Sequence, residues 1–239
     1  LITGLAMGIT ILVGQKIGEK RPEQAGDVIG SGICLFGVLA AVLTVLMILG
    51  AGFLAGLMHA PDEAFSQTVD YIRICSAGAV FIIAYNVLGS IFRGIGDSRM
   101  PLFTVAAACV FNIGGDLLLV AGFHMGAAGA ALATVAAQAA SVLLSLAVIR
   151  RRTLPFTIGK KNLRFERRLV GRILALGTPI ALQDLLVSIS FLVILAIVNS
   201  MGVIASAGVG VAEKLCAFIM LVASAYMQSM SAFVAQDMG

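Results

Sequence analysis

Charged residues are scarce in this chain of 239 residues, because only 12% are Asp, Glu, Lys or Arg. A soluble domain is about 25% charged, so the composition argues against one. The chain contains no G-x-S-x-G, P-loop or H-E-x-x-H motif, and so lacks these hydrolase, nucleotide-binding and zinc-protease signatures. Its four cysteines stand singly in apolar runs, which excludes a disulfide framework; they are Cys34, Cys75, Cys109 and Cys216.

Hydrophobic residues are abundant instead, at 60% of the chain. A helix needs about 20 mainly apolar residues to cross a hydrocarbon layer of roughly 30 Å. Membrane β-strands are only about 10 residues long and alternate strictly, unlike the runs found here. The sequence therefore predicts an all-α, polytopic helical membrane protein with about seven transmembrane helices. The apolar segments are Leu1–Gln15, Val28–Met58, Tyr71–Phe92, Pro101–Phe123, Gly126–Ile149, Ile173–Asn199 and Val203–Ala235.

The basic residues indicate the orientation of these segments. Most of the 16 Lys and Arg residues fall in three alternate loops, at 16–21, 93–99 and 150–172. By the positive-inside rule these loops face the cytoplasm. The basic charge is thus a membrane-topology signal and predicts contact with anionic lipid headgroups. Apart from Phe156 and Phe165 the basic stretches have no interleaved aromatic residues, so we expect no nucleic-acid partner.

Two short strings resemble each other across the chain. Met7–Gly18 reads MGITILVGQKIG and Gln228–Gly239 reads QSMSAFVAQDMG, with Gln and Gly in register at an offset of 221. Each string lies at the end of an apolar segment, and both ends are on the side of the basic loops. Parallel repeats in transporters have the same arrangement. The repeat predicts a protein of two six-helix lobes.

The same offset predicts how this chain maps onto the two lobes. Residues 1–149 are expected to be the first lobe without its first helix, and 150–172 a basic cytoplasmic linker. Residues 173–239 are expected to be the first two helices of the second lobe. On this interpretation the last four helices lie beyond Gly239.

Asn112, Asp116 and Thr134 form the strongest candidate site. Asp116 lies one helical turn from Asn112 on the same face. Counting from the outer connection at roughly 1.5 Å per residue, Asp116 and Thr134 lie at similar depths, about 10 and 12 Å. A carboxylate within the membrane should hold a proton, a cation or a partner. Packing alone is the other interpretation.

Six further polar residues inside the apolar segments are candidates for lining a cavity. Packing roles explain them equally well, because their spacing matches no known site pattern. They are Asn86, Gln138, Gln183, Asp184, Glu213 and Lys214.

The stretch Arg93–Pro101 reads RGIGDSRMP and allows two interpretations. Its glycines, Asp97 and Ser98 suit a tight turn followed by a helix cap. Its G-x-G-D string also fits intramembrane aspartyl proteases, which would make the protein an enzyme. That chemistry needs a second aspartate facing the first, and no partner motif is present. We therefore expect a structural connection and not an enzyme.

The chain resembles the MATE (multidrug and toxic compound extrusion) family of antiporters. The resemblance is carried by Gly14–Arg21, Arg93–Pro101, Asn112–Asp116, Gly126–Thr134 and Ala235–Gly239. It implies a two-lobe transporter of twelve helices around a central cavity. It also implies export of organic, mainly cationic, substrates in exchange for H⁺ or Na⁺, with no other cofactor or metal.

The resemblance also implies a role for the candidate site. In several family members an Asn and an Asp one turn apart, with a Thr on the next helix, form the cation site, and Asn112, Asp116 and Thr134 match them. Those members add an Asp on the first helix, which this chain does not contain. One branch has an essential Glu that would fall near Val187–Ser188, where this sequence has none.

These observations predict a secondary active efflux transporter that works by alternating access. We expect a multi-pass protein of the cytoplasmic (inner) membrane of a bacterium or archaeon, monomeric when complete. The alternative within the same superfamily is a lipid-linked oligosaccharide flippase. A flippase needs several cationic groups to meet a diphosphate, and only Lys214 and Arg73 are candidates here.

Overall fold

The computed structural model describes residues 2–57, 62–151, 162–200 and 203–239, and every regular element in these ranges is helical. The prediction of an all-α fold is thus confirmed. In chain order the helices are α1 (Ile2–Gly18), α2 (Pro22–Leu57), α3 (Asp62–Ala77), α4 (Ala79–Ile95), α5 (Arg99–Asp116), a π-helical turn (Leu117–Gly122), α6 (Gly126–Arg151), α7 (Arg167–Ser200) and α8 (Val203–Asp237).

The seven predicted segments correspond to these helices, but fewer of them are long enough to span a membrane. Five described helices are long and apolar enough, and a sixth span results if α3 and α4 count as one bent span. The first segment is the shorter apolar helix α1, of 17 residues. Among the described residues, the seven predicted segments thus appear as five or six candidate spans and one short apolar helix.

The third predicted segment is bent where a straight helix was expected. Helices α3 and α4 meet at Gly78 with an angle of 50° between them. A Cβ at Gly78 would collide with both methyl groups of Val135 in α6. Glycine therefore allows α6 to approach the backbone at the bend, and glycine is also among the residues at which helices kink.

Helix α1 is the centre of the first lobe. Ala6, Ile9 and Val13 are fully buried, and they belong to an apolar cluster with residues of α2, α4 and α7. Thr10, also fully buried, donates a hydrogen bond of 3.1 Å to the backbone oxygen of Ser90 in α4. Polar and apolar contacts together thus fix α1 against α4.

Glycines of α1 bring it into backbone contact with both helices of the predicted second lobe. A Cβ at Gly4 would lie 2.6 Å from Ala181 Cα of α7, and one at Gly18 would collide with the backbone oxygen of Gln236 in α8. Close approach through small residues is typical of helix packing in membranes. The two strings matched in the repeat therefore lie against each other.

The basic linker predicted at 150–172 overlaps the helices on both sides of it, because α6 ends at Arg151. Helix α7 already begins at Arg167, and residues 152–161 lie outside the described ranges. Asn162 Nδ2 donates a hydrogen bond of 2.8 Å to Asp27 Oδ1 near the start of α2. The end of the linker is thus attached to the first lobe.

Candidate cation-coupling site

Helices α5 and α6 form the antiparallel pair that carries the site. The peptide at Gly115 approaches α6 so closely that a Cβ there would lie 2.9 Å from Ala133 Cβ. Farther from the connecting turn, Ser141 Oγ donates a hydrogen bond of 3.0 Å to the backbone oxygen of Thr104. Small residues and a buried polar contact therefore hold the register between the two helices.

This register brings the predicted amide and hydroxyl together. Asn112 Nδ2 lies 3.4 Å from Thr134 Oγ1, to which it donates a long hydrogen bond. Thr134 Oγ1 in turn donates to the backbone oxygen of Ala130 at 3.0 Å. The Asn112 Oδ1 atom is left as an oxygen available to a cation, because its amide nitrogen is directed at Thr134.

Asp116 occupies the last residue of α5, one turn beyond Asn112, and is half-buried. Its Oδ1 atom is buried without a hydrogen-bond partner among the described residues. The helix changes to π-helical geometry at the next residue, Leu117. π-Helical turns are rare and frequently lie at functional sites, so the backbone change coincides with the carboxylate.

Gln138 lies one turn from Thr134 on α6 and is a second residue with an unpartnered buried oxygen, Oε1. Within the described residues no three His, Cys, Asp or Glu side chains gather as metal ligands. A cation at this site would therefore meet one carboxylate and neutral amide and hydroxyl oxygens. Such oxygens suit a small hard cation.

The other predicted cavity residues lie elsewhere. Asn86 contacts α1, because Thr3 Oγ1 lies 3.4 Å from Asn86 Oδ1. Asn86 Nδ2 also donates a hydrogen bond of 2.8 Å to the backbone oxygen of Ile82 in its own helix. The remaining four are exposed on α7 and α8; they are Gln183, Asp184, Glu213 and Lys214. In the described parts of the chain, the backbones of α7 and α8 nowhere come within 8 Å of α5 or α6.

The RGIGDSRMP stretch is a tight structural connection. Gly96 ends α4 in the left-handed conformation with φ of 89°, and its N–H bonds the Arg93 carbonyl at 3.0 Å. Asp97 Oδ1 accepts hydrogen bonds of 3.1 Å from the N–H groups of Arg99 and Met100. The carboxylate that suggested a protease therefore caps the start of α5.

Arg93 is the residue whose position the sequence prediction missed. It was assigned to the cytoplasmic connection, but it lies inside α4 and is half-buried. Its Nη2 atom donates a hydrogen bond of 2.9 Å to Ser90 Oγ. The signal that could have revealed it is the spacing from Gly96, because a left-handed glycine commonly follows the last helical turn.

Comparison with known proteins shows which family the chain resembles. The MatE family model matches residues 1–118. The chain is 29% identical over 243 aligned residues to the probable multidrug resistance protein YoeA of Bacillus subtilis (strain 168), covering 99% of this chain. The chain is therefore similar to the MATE family. Members of this family are transporters and not enzymes, which confirms the expectation drawn from the sequence.

Solved MATE structures share the fold. The outward-facing structure of a multidrug resistance MATE family transporter of the MOP superfamily matches 98% of this chain, with 25% identity and a TM-score of 0.85. The corresponding inward-facing structure matches with 24% identity and a TM-score of 0.78. The chain spans about half the length of these relatives, 52% of YoeA and 52% of the outward-facing transporter.

Proposed function

We propose that this chain is part of a multidrug efflux transporter that exports small organic, mainly cationic, compounds. Its match to the MatE family model and its similarity to a probable multidrug resistance protein support export as the activity. The apolar helices support a multi-pass position in a membrane, for which we propose the cytoplasmic membrane of a bacterium or archaeon. In this membrane the protein contacts lipids. We expect the complete protein to act as a monomer.

We further propose that Asn112, Asp116 and Thr134 couple export to the inward movement of H⁺ or Na⁺. The observation that carries this proposal is the buried Asp116 Oδ1, which lacks a partner beside the Asn112–Thr134 contact. A buried carboxylate without a partner is costly while it is charged, so it should take up a proton or a cation. Either one would repack the predicted first lobe, beginning at the π-helical turn after α5, and would weaken substrate binding.

The test is Asp116→Asn, which preserves the shape of the side chain and removes its charge. We expect this variant to lose coupled efflux and drug resistance while its expression in the membrane stays unchanged. Asp70→Asn is the matched control, because Asp70 is an exposed carboxylate on α3. Unchanged resistance in Asp116→Asn, at equal expression, would refute the coupling role.

The flippase alternative has less support. A diphosphate headgroup needs several cationic groups that converge on one place. Arg73 on α3 and Lys214 on α8 are both exposed, and the backbones of these two described helices do not come within 8 Å of each other. Export of organic compounds is therefore the better proposal.

A further inference from the structure

Arg93 is a cationic side chain inside a membrane helix. Its guanidinium lies back along α4 over Gly89, since a Cβ at that glycine would lie 3.2 Å from Arg93 Nη1. Nη2 donates to Ser90 Oγ at 2.9 Å, whereas Nε is buried and has no hydrogen-bond partner among the described residues. The head group thus points toward the membrane interior and has unused hydrogen-bonding capacity.

No carboxylate in the described ranges pairs with this guanidinium. The ion pairs found there join Glu19 to Lys16 and to Arg21, at the C-terminal end of α1. A partly buried cation without an anion is unfavourable, so an anion from outside the described chain would stabilise it.

Arg93 borders a cleft between the α4–α5 connection and α8, which has a volume of about 550 Å³. Polar side chains from α8 line one part of it, among them Gln228, Ser229 and Gln236. Gln236 is held in place, because its Nε2 donates a hydrogen bond of 2.9 Å to the backbone oxygen of Gly94. The remaining wall is largely apolar and includes Leu102, Leu221 and Phe233.

We propose that this cleft is a second binding site, in which Arg93 holds the carboxylate or phosphate oxyanion of an amphiphile. The fork of guanidinium N–H groups matches the two oxygens of such an anion. The apolar chain of the amphiphile lies against Leu102, Leu221 and Phe233. If the bound amphiphile is an exported substrate, the proposal rests on the proposed function. Binding of the amphiphile in the cleft does not itself require transport.

These 239 residues contain no tryptophan, and for the binding test any tryptophan elsewhere in the complete protein is first replaced by phenylalanine. Phe233→Trp places one fluorescent reporter in the cleft, and ω-bromododecanoate is the quenching probe in a neutral maltoside detergent. Arg93→Gln should raise the Kd of this probe about tenfold or more, as expected for a lost charge-assisted hydrogen bond. Arg93→Lys keeps the charge without the fork and should have an intermediate effect.

Two comparisons make the test selective. Arg99→Gln, which removes an exposed arginine at the start of α5, should leave the Kd unchanged. The oppositely charged probe ω-bromododecyltrimethylammonium should not bind more weakly to Arg93→Gln than to the parent. The proposal is overturned if Arg93→Gln and Arg93→Lys both bind bromododecanoate within twofold of the parent.

Competition identifies the source of the oxyanion. Displacement of the probe by dioleoylphosphatidylglycerol, but not by dioleoylphosphatidylcholine, assigns the site to an anionic lipid headgroup. Displacement by unbrominated dodecanoate alone assigns it to a carboxylate-bearing solute. Equal displacement by both phospholipids would overturn the proposal, because charge would not matter. Asp116→Asn should leave probe binding intact, so failure of this site and failure of the coupling site are distinguishable.

Discussion

The hydroxyl oxygen of Thr134 takes part in two hydrogen bonds, one as donor and one as acceptor. It donates to the backbone oxygen of Ala130 at 3.0 Å and lies 3.4 Å from Asn112 Nδ2. The first contact fixes the hydroxyl rotamer, which leaves the lone pairs of the oxygen directed at α5. The geometry of the candidate cation site therefore depends on this hydroxyl more than on the size of the side chain.

Two substitutions separate the hydroxyl from the shape of the side chain. Thr134→Val keeps the shape and removes both hydrogen bonds, and we expect ion-coupled efflux to weaken by about fivefold, corresponding to roughly 1 kcal/mol for one hydrogen bond. Thr134→Ser keeps the hydroxyl and should remain within twofold of the parent. Drug resistance measured at several Na⁺ concentrations and pH values distinguishes them. Equal loss in both variants would assign Thr134 to packing.

Single residues differ in how well the sequence alone could predict them. Depth counted from the outer connection, which α5 leads into and α6 leads out of, predicts that Asp116 and Thr134 lie at the same level; the contact in the structure joins Thr134 to Asn112, one turn away. Arg93 could not be predicted in the same way, since a charge beside glycines reads as a loop residue. Only the left-handed Gly96 shows that α4 extends two residues beyond Arg93, to Ile95.

At the level of helices, Gly78 sets the bend between α3 and α4. Gly78 packs against the branched side chain of Val135 in α6. The methyl groups of Val135 lie where a Cβ on Gly78 would be. The sequence did not reveal the bend, because a glycine inside an apolar run is compatible with a continuous helix. The π-helical turn after Asp116 was also missed, since nothing in Leu117–Gly122 departs from an ordinary helical composition.

Gly78→Ala should therefore destabilise the first lobe by overpacking, at a cost of about 1–3 kcal/mol. Gly78→Ala combined with Val135→Ala should recover most of this loss, because the added methyl group then occupies the vacated space. Gly50→Ala is the control, since nothing lies within 4 Å of a Cβ at that glycine of α2. Thermal unfolding in detergent measures all three variants. A double variant no more stable than Gly78→Ala would show that the bend needs glycine for its backbone alone.

At the level of the whole molecule, the two repeat strings meet at the end of α1 that carries the basic loop. A Cβ at Gly14 would lie 3.1 Å from Ala235 Cβ, and one at Gly239 would collide with the backbone oxygen of Gln15. Most of α8 beyond this contact is exposed.

If the complete protein works by the expected alternating access, this α1–α8 contact should open during each cycle. A Gly14→Cys and Ala235→Cys pair tests the requirement, since disulfide Cβ atoms lie roughly 3.5–4.5 Å apart and the two sites need only a small displacement. The background must first have every native cysteine of the complete protein replaced by alanine, including Cys34, Cys75, Cys109 and Cys216. Oxidation should crosslink the pair and reduce efflux at least about tenfold, and a reducing agent should restore it. Neither single-cysteine variant should respond to oxidation. Full transport by the crosslinked protein would show that the contact is static, because a covalent bond between α1 and α8 prevents their separation.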